Sequence, residues 1–516
     1  MISFIISLIA LVLGYMLYSR VAERVFGPDD RPTPALRRAD NVDYIVMPGW
    51  RIFMIQFLNI AGTGPIFGAI MGMWFGPSAY LWIVFGCIFG GAVHDYISGM
   101  LSMRHDGCGQ AELTGLYLGP TARKAMIVFT MLMMVLVGAF FVYCPAIILA
   151  GIWGDKMMWV FIIFIYYVAT TIMPIDKVIG RIYPIFALSM LFMVVALGIV
   201  LAAKHPVLPE VWNGLGNLGA ERLGLTQPLF PALFVTIACG AVSGFHATQS
   251  PMMARCMKSE RQGRPIFYGA MITEGIVALV WATISSYFFF ADGWREVCPP
   301  EVVAKFEASA LSLIQFFDAP TVVNIVCASW LGTFGSVLAL LGIVAAPITT
   351  GGSSFRSARL ILAEAFGLQQ TSKRSRLLLS LPVFAVGIAL LAWQIGNPSG
   401  FGTVWQYVAW GTQLMAAVTL WVCTVYLRKE RKCYWLTLVP ALFMTVVVTD
   451  FFLVSNTTLG LPYTPSLIAS IVVAIAALIC FARMKSPITS PRGEANTSSG
   501  ELLETQVPPR EDLEGA

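Results

Sequence analysis

Asn59-Ile-Ala-Gly-Thr-Gly-Pro65 interrupts one apolar segment of this chain, and Cys239-Gly-Ala-Val-Ser-Gly-Phe-His-Ala-Thr-Gln-Ser-Pro251 interrupts another. Glycine tolerates non-helical backbone and proline suits the first turn of a helix, so each run predicts one half-helix ending and another beginning at its proline. Thr63 or Gly64, and Ser250, stand at the expected N-cap positions. Irregular backbone inside a membrane persists only beside protein or a water-filled cavity, so each break predicts a cavity.

The segments around these breaks are predicted membrane spans. Hydrophobic residues make up 57% of the chain and charged residues 12%, with a mean hydropathy of +0.76. This composition is too apolar for a soluble domain with a polar surface. Runs of about 20 apolar residues, long enough to cross the hydrocarbon core, recur along the chain. The sequence therefore predicts an all-α polytopic membrane protein in contact with lipids, with thirteen transmembrane helices at about 2–19, 52–75, 78–100, 124–151, 157–173, 183–203, 229–254, 266–291, 323–349, 377–395, 402–426, 433–453 and 464–483.

The placement of Lys and Arg gives this topology a direction. If Met1 lies outside, 28 of the 33 basic residues fall in inner loops or the C-terminal tail. The five predicted outside are Lys156, Lys204, Arg222, Arg295 and Lys305. Such a bias follows the positive-inside rule, so we expect an outer N-terminus and a cytoplasmic C-terminus. The net charge of +5 then reflects topology and does not indicate nucleic-acid binding.

The breaks also divide the chain. Five spans lie from the first broken helix up to the second, and an odd-numbered repeat returns in the opposite orientation. We predict a transport core at 51–426 built from inverted repeats at 52–203 and 229–426. Broken helices at matching places in two halves indicate the site of a secondary transporter. The remaining predicted regions are an accessory helix and cytoplasmic loop at 1–50, two accessory helices at 427–485, and a disordered cytoplasmic tail at 486–516.

Two further patterns favour structural roles. The stripe of Gly64, Gly68 and Gly72 predicts close helix packing. The segment Ser354–Phe366, SFRSARLILAEAF, mixes arginines with large apolar residues and predicts an amphipathic helix at the membrane surface.

Four runs of the chain resemble the carbon starvation protein CstA family of bacterial inner-membrane transporters. They are FLNIAGTGPIFGAIMG at Phe57–Gly72, GAVHDYISGMLSMRHDG at Gly91–Gly107, VTIACGAVSGFHATQS at Val235–Ser250 and YGAMITEGIVALVWA at Tyr268–Ala282. The resemblance implies a LeuT-like five-plus-five fold of the amino acid–polyamine–organocation superfamily, importing peptides or pyruvate-like nutrients when carbon is scarce. There is one departure from the family pattern. Where longer members are expected to read like TTLDTATR, this chain has Thr349-Thr-Gly-Gly-Ser-Ser-Phe-Arg356 and lacks the aspartate.

The two new half-helices would aim their N-termini at the cavity, where backbone N–H groups and the helix dipole favour an anion. We therefore predict a substrate that carries a carboxylate, docked between Gly62–Gly64 and Ser243–Phe245. The predicted substrate-binding residues are Asn59, Gly62, Thr63, Gly64, Ser243, Gly244, Phe245, His246, Thr248 and Gln249.

Few ionisable side chains lie within the spans, and such groups are often functional. They are His94, Asp95, His246, Glu274 and Asp450. His246 lies beside the second break and can titrate near neutral pH, so we predict a proton relay of His246, Glu274 and Asp95. The alternatives are that His246 only bonds a freed carbonyl, that Asp95 pairs with Arg104, and that Asp450 lies near the outer interface.

Sodium is the competing coupling ion. The predicted cation ligands are the carbonyls of Ile60 and Gly62 with the hydroxyls of Thr349, Thr350 and Ser353. A nutrient sensor on a transporter scaffold is a further alternative. We do not expect an enzyme, because Ser243 and His246 lack the spacing of an intramembrane serine protease, and no nucleotide-binding motif occurs. The ten cysteines show no zinc-site spacing, so no metal or other cofactor is predicted.

Overall fold

The computed structural model describes residues 1–39, 44–151, 153–172, 179–366, 373–397 and 400–484, so the predicted tail at 486–516 lies outside the described residues. Ten helices are long and apolar enough to cross a membrane, and the count rises to eleven when the bent pair Gly49–Ile60 and Gly64–Met73 is taken as one span. The other two predicted spans correspond to the shorter apolar helix Lys156–Ile172 and to a pair of half-helices. The all-α polytopic fold is confirmed.

The helices of the first half share one pattern: long membrane helices joined by short surface helices. The membrane helices are α1 (Ile2–Phe26), α2 (Gly49–Ile60), α3 (Gly64–Met73), α4 (Ser78–Arg104), α5 (Pro120–Ala150), α6 (Lys156–Ile172) and α7 (Ile179–Lys204). The short helices are Pro34–Arg37, Gln110–Leu118, Val211–Asn213 and Leu218–Arg222.

The second half has a similar build and ends in two helices that pack against each other. Its membrane helices are α8 (Leu229–Thr236), α9 (His246–Ala254), α10 (Glu260–Phe290), α11 (Ala319–Phe366), α12 (Lys373–Gly396), α13 (Gly400–Lys429), α14 (Trp435–Val454) and α15 (Tyr463–Arg483). The short helices are Gly293–Val297, Pro300–Glu307 and Leu313–Phe316.

Both predicted breaks are present, and they differ in length. The first consists of Ala61–Thr63, and α2 and α3 meet there at a bend of 54°. The second runs from Ile237 to Phe245, where Gly240 has a φ of +89°, a backbone conformation that favours glycine. The first break thus turns the chain sharply, whereas the second inserts a stretch of irregular backbone between its half-helices.

The start of the second half-helix differs from the prediction. Helix α9 begins at His246, and Pro251 is its sixth residue. The hydroxyl of Ser250 donates to the carbonyl of His246 one turn earlier, at 3.0 Å, so it does not cap the helix. The irregular backbone ends at Phe245, so α9 begins at the next residue, His246. Pro251 therefore lies inside the helix and does not start it. Helix α3, the half-helix after the first break, begins at Gly64, one residue before the start predicted at Pro65.

The prediction of a surface helix at Ser354–Phe366 is wrong. This segment continues α11, and Ser354, Phe355, Arg356 and Arg359 are all buried. Phe355 packs against the rings of Tyr167, Phe164 and Phe384, and Arg356 donates to the carbonyl of Thr170. The arginines are held by protein contacts, and not by the polar surface of a membrane.

The stripe of small residues packs between the two broken spans, as predicted. A Cβ on Gly68 would lie 2.7 Å from the carbonyl oxygen of Thr236, and one on Gly72 would lie 2.2 Å from the side chain of Ile237. Real side chains do not come this close, so glycine is what allows α3 to pack directly against the end of α8.

Two ion pairs each join residues that the sequence predicts on the same side of the membrane. Arg37 pairs with Asp106 at 2.6 Å among the residues predicted inside, and Lys204 pairs with Glu296 among those predicted outside. The grouping supports a two-sided arrangement of the loops. The end that faces the cytoplasm remains a prediction.

One ion pair between the buried Glu260 and the partly buried Arg104, which we call the inner cluster, joins α4 to the start of α10. The guanidinium of Arg104 donates to both carboxylate oxygens of Glu260, at 3.1 and 2.9 Å. It also donates to the Tyr426 hydroxyl at 2.9 Å and to the Gly27 carbonyl at 2.8 Å. Every nitrogen of Arg104 therefore has a partner. The backbone N–H of Asp29 also donates to Glu260, at 3.0 Å, which ties the segment after α1 to this cluster.

Candidate functional site

The two breaks lie side by side at the centre of the core. A Cβ on Gly64 would lie 2.5 Å from the Cys239 sulfur, and a Cβ on Gly240 would lie 3.6 Å from the Cβ of Pro65. The lack of a side chain on Gly64 therefore allows Cys239 to approach the first turn of α3. Helix α3 begins at this contact, and α9 begins seven residues after Cys239.

The second break is anchored from two sides. The N–H of Gly244 donates to the carbonyl of Thr412 on α13, at 2.8 Å. On the α4 side, a Cβ on Gly91 would lie 2.1 Å from the carbonyl oxygen of Ala241. Irregular backbone in a membrane needs such partners, because lipid satisfies no hydrogen bond.

Asp95 joins two histidines in the protein interior. Its Oδ2 lies 2.8 Å from Nδ1 of His246, and its Oδ1 lies 2.8 Å from Nδ1 of His94. All three residues are fully buried. With Asp95 ionised, each Nδ1 is the donor, which leaves Nε2 of each ring for another partner. The alternative pairing of Asp95 with Arg104 does not occur, since Arg104 belongs to the inner cluster.

Glu274 of α10 completes this chain of side chains. Its Oε2 lies 3.4 Å from Nε2 of His246, within ion-pair range but without a good hydrogen bond. Both oxygens of Glu274, and the Nε2 atoms of His246 and His94, lack a hydrogen-bond partner among the described residues. We call His94, Asp95, His246 and Glu274 the relay cluster; it spans α4, α9 and α10 and contains all three predicted coupling residues.

The polar residues of the first break are buried beside α5 and α11. Cys144 contacts the hydroxyl of Thr63 at 3.6 Å through its sulfur, and a Cβ on Gly62 would lie 3.3 Å from the ring of Phe141. The amide oxygen of Asn59 is buried without a hydrogen-bond partner among the described residues. This amide is a free acceptor next to the irregular backbone.

The polar residues at the second break point in two directions. The Gln249 amide nitrogen donates to Thr248 at 2.9 Å, and its oxygen accepts from Ser353 of α11 at 3.4 Å. Ser243 is fully buried, and its hydroxyl contacts the Cys239 sulfur at 3.7 Å. Phe245 is also buried and directly precedes α9. The predicted substrate residues thus line the junction of the two breaks, but they do not all face one point.

The predicted cation ligands are only partly brought together. The Thr350 hydroxyl approaches the carbonyl of Asn59 at 3.4 Å, which places it near the first break. Thr349 instead donates to Ala346 in its own helix, at 2.8 Å. The Ile60 carbonyl accepts from the N–H of Gly62 at 2.9 Å. The Ser353 hydroxyl likewise donates to the carbonyl of Thr350, at 2.8 Å. Three of the expected ligands are therefore engaged in local hydrogen bonds.

Three side chains at the second break have the chemistry to hold a metal ion. One ligand atom each from Cys239, His246 and Glu274 lies within 4.8 Å of the other two. No spacing in the sequence indicates this group, because six residues separate the cysteine from the histidine and Glu274 comes from another helix. His94 was likewise recognised only as an ionisable residue within a span, although it is the second partner of Asp95.

Asp450 is buried in α14, and its two carboxylate oxygens have no hydrogen-bond partner among the described residues. It is not part of the relay cluster.

The fold and this site can be compared with known proteins. Two solved structures share the LeuT-like fold. A manganese transporter of Eremococcus coleocola has a TM-score of 0.51 at 11% identity, covering 86% of this chain and 96% of that one. A nucleobase-cation-symport-1 family transporter has a TM-score of 0.50 at 13% identity, covering 87% of this chain and 95% of that one. At such low identities these matches describe the fold alone.

Sequence relatives are more specific. An uncharacterized membrane protein of Haemophilus influenzae is 41% identical over 339 residues, or 56% of this chain and 91% of the relative. The peptide transporter CstA of Bacillus subtilis is 25% identical, covering 87% of this chain and 91% of the relative. The corresponding protein of Escherichia coli is also 25% identical, covering 84% and 78%. The family model for carbon starvation protein CstA matches residues 1–152, 145–329 and 319–450, and the chain therefore belongs to the CstA family.

Proposed function

We propose that this membrane transporter is a secondary active importer of a small carboxylate-bearing nutrient, coupled to protons and working by alternating access. Transport itself follows from the family and the fold. The finer proposal rests chiefly on the relay cluster, whose four ionisable side chains are buried beside the paired breaks. Buried ionisable groups within spans commonly mark proton or ion pathways.

The relay cluster has the connections that proton transfer requires. Asp95 lies 2.8 Å from His246, and His246 lies 3.4 Å from Glu274, so a small rotation would complete a hydrogen bond. Imidazole can take up a proton at one ring nitrogen and release it from the other. A proton held by His246 or Glu274 would change the charge next to the second break. This change in charge could favour one conformation of the break over another.

A substrate carboxylate suits the place where the two breaks meet. The positive end of the α3 dipole lies at the contact of Gly64 with Cys239, and the positive end of the α9 dipole lies where the second break ends. Peptides and pyruvate-like acids both carry a carboxylate. Relatives named as peptide transporters make short peptides the first candidates. We further propose a bacterial inner-membrane location, an outer N-terminus and a role in carbon starvation.

Purified protein in sealed vesicles tests this proposal. We expect labelled dialanine or pyruvate to accumulate when the outside is made more acidic than the inside, and to stop accumulating when a protonophore removes the gradient. Unlabelled substrate and simple carboxylates should compete with the label. Uptake that ignores the pH gradient would overturn proton coupling, and lack of competition by carboxylates would overturn the proposed substrate class.

Sodium coupling is the second candidate, supported by the approach of the Thr350 hydroxyl to the Asn59 carbonyl. Replacing external sodium by choline at constant pH separates the two ions. We expect no loss of uptake, whereas a loss of tenfold or more would favour sodium. Failure to move any solute in these vesicles would favour a nutrient sensor.

A further inference from the structure

We propose that Cys239, His246 and Glu274 bind one divalent transition-metal ion of the zinc class, and that the bound ion locks the transport core. One ligand atom from each residue lies within 4.8 Å of the other two. Cys239 belongs to the second break, His246 begins α9, and Glu274 lies in α10. Three separate backbone segments thus converge on one small volume.

The spacing of the nitrogen and oxygen ligands suits such an ion. Nε2 of His246 and Oε2 of Glu274 are 3.4 Å apart. Two ligand atoms that each lie about 2.0–2.1 Å from a tetrahedral zinc ion are roughly 3.4 Å from each other. The Cys239 sulfur would need to move by about 1 Å to reach the longer zinc–sulfur bond length. A side-chain rotation of Cys239 can supply that movement.

Unpartnered atoms point to a missing ligand at this place. Both carboxylate oxygens of Glu274 and the Nε2 atom of His246 are buried and have no hydrogen-bond partner among the described residues. Buried polar atoms usually have a partner, since leaving one unsatisfied costs about 1–3 kcal/mol. A metal ion bound by Nε2 of His246 and one carboxylate oxygen of Glu274 would give a partner to two of these atoms.

Asp95 supports His246 in the way that an outer carboxylate supports a metal-bound histidine. It accepts from Nδ1 at 2.8 Å, which fixes the ring orientation and leaves Nε2 with its lone pair toward Glu274. Metal-binding histidines commonly carry a carboxylate partner on the other ring nitrogen. His94 holds the second oxygen of Asp95, so the carboxylate itself is oriented.

The donor atoms select the class of ion. A thiolate, an imidazole and a carboxylate together favour zinc or cobalt, whereas magnesium and sodium prefer oxygen ligands alone. Three protein ligands leave a fourth position open to water or solute. Cys239 is only partly buried, whereas His246 and Glu274 are fully buried.

Binding would connect parts that must move in alternating access. Cys239 precedes most of the irregular backbone of the second break and His246 follows it, so a shared ion would hold the two ends at a fixed distance. The third ligand ties both ends to α10, and Gly64 of the first break lies against Cys239. Transport should therefore stop while the ion is bound. The binding itself goes beyond the proposed function and does not depend on it.

Cobalt binding to the purified full-length protein tests the site directly. We expect one Co²⁺ per chain, with visible bands of a four-coordinate ion and a near-ultraviolet thiolate-to-cobalt charge-transfer band. Cys239→Ser should lose the charge-transfer band, and Glu274→Gln should weaken binding at least tenfold. Cys327→Ser, at another buried cysteine, is the matched control and should bind like the unmodified protein. A missing charge-transfer band, or one that survives Cys239→Ser, would overturn the site.

Uptake into vesicles tests the locking effect separately. Micromolar Zn²⁺ should reduce uptake at least tenfold in the unmodified protein and in Cys327→Ser, with reversal by a chelator, and should leave Cys239→Ser uninhibited. Cobalt binding without inhibition by zinc would retain the site and overturn the lock. If no variant takes up solute, the proposed function fails, and the cobalt spectra still decide the metal site.

Discussion

The relay cluster and the inner cluster are both buried and ionic, but only one of them is fully satisfied. In the inner cluster every nitrogen of Arg104 has a partner, and Glu260 receives two arginine bonds and a backbone N–H. In the relay cluster, Nε2 of His246 and both oxygens of Glu274 lack hydrogen bonds among the described residues. Under the proposed function, the inner cluster holds helices together, whereas the relay cluster exchanges protons.

The physical reason is the cost of unsatisfied burial. A buried polar group without a partner destabilises the fold by about 1–3 kcal/mol. Such a group is therefore expected where it serves a function. The inner cluster avoids this cost because its polar atoms are hydrogen-bonded to one another. Substitutions in the inner cluster should therefore change stability, and substitutions in the relay cluster should change transport.

The largest effect is expected for Arg104→Met. It leaves the carboxylate of Glu260 buried without its main partner, which typically destabilises a protein by about 3–5 kcal/mol. Thermal unfolding in detergent should show this loss, while the remaining folded protein keeps its pH-driven uptake. The double variant Arg104→Met with Glu260→Met should regain most of the stability. A loss below about 1 kcal/mol would contradict a holding role for this pair.

Next in size is His246→Gln, which keeps a hydrogen-bond donor for Asp95 but cannot carry a proton. We expect pH-driven uptake to fall at least about 100-fold, equivalent to about 2.7 kcal/mol. His105→Gln is the matched control, because His105 contacts Tyr117 outside the relay cluster. An unchanged pH dependence of uptake in His246→Gln would exclude this residue from coupling.

A smaller effect is expected for Glu274→Gln. Proton-coupled uptake should fall about tenfold, or about 1.4 kcal/mol, because the amide cannot accept a proton from His246. Unfolding should be unaffected or shifted to a higher temperature, since a neutral amide costs less to bury than an unpartnered carboxylate. Asp450→Asn in α14 provides a second buried carboxylate as control and should retain uptake. Equal loss in both variants would show that the effect is not specific to the relay cluster.

The smallest effect is expected at the edge of the inner cluster. Hydrogen bonds from Arg31 hold the pKa of Asp29 well below its usual range. A lowered folded-state pKa adds stability above the unfolded value near 4, and this stability is lost as the pH falls toward the folded value. Because Asp29 is half exposed, the contribution should stay under about 1 kcal/mol. Asp29→Asn should thus lower the unfolding temperature slightly at pH 7 and leave it unchanged at acidic pH, as measured by unfolding at both.

The positions of the breaks could be predicted from the sequence because Gly62, Gly64 and Gly240 leave a local signal. The start of α9 could not, since Ser250-Pro251 resembles a helix start and only the surrounding structure shows that the helix begins at His246. The burial of Phe355, Arg356 and Arg359 is not predictable for a related reason. In the sequence, these arginines look like those of a surface helix. Only the structure shows that Arg356 contacts α6.

The sequence predicts three of the four residues of the relay cluster, but not its geometry. His246, Glu274 and Asp95 could be selected because ionisable residues are rare in spans. Their distances depend on how α4, α9 and α10 pack, which no spacing in the sequence encodes. His94 and Cys239 were therefore missed as neighbours of the same site, and the inverted repeats at 52–203 and 229–426 remain a prediction.

Proton movement linked to solute movement is the most direct test of the relay cluster. Vesicles containing a pH-sensitive dye are prepared with equal pH on both sides, and dialanine or pyruvate is added outside with no other gradient. We predict that the lumen acidifies as solute enters, and that His246→Gln abolishes acidification while His105→Gln retains it. Solute entry without acidification of the lumen in the unmodified protein would contradict proton coupling through this site.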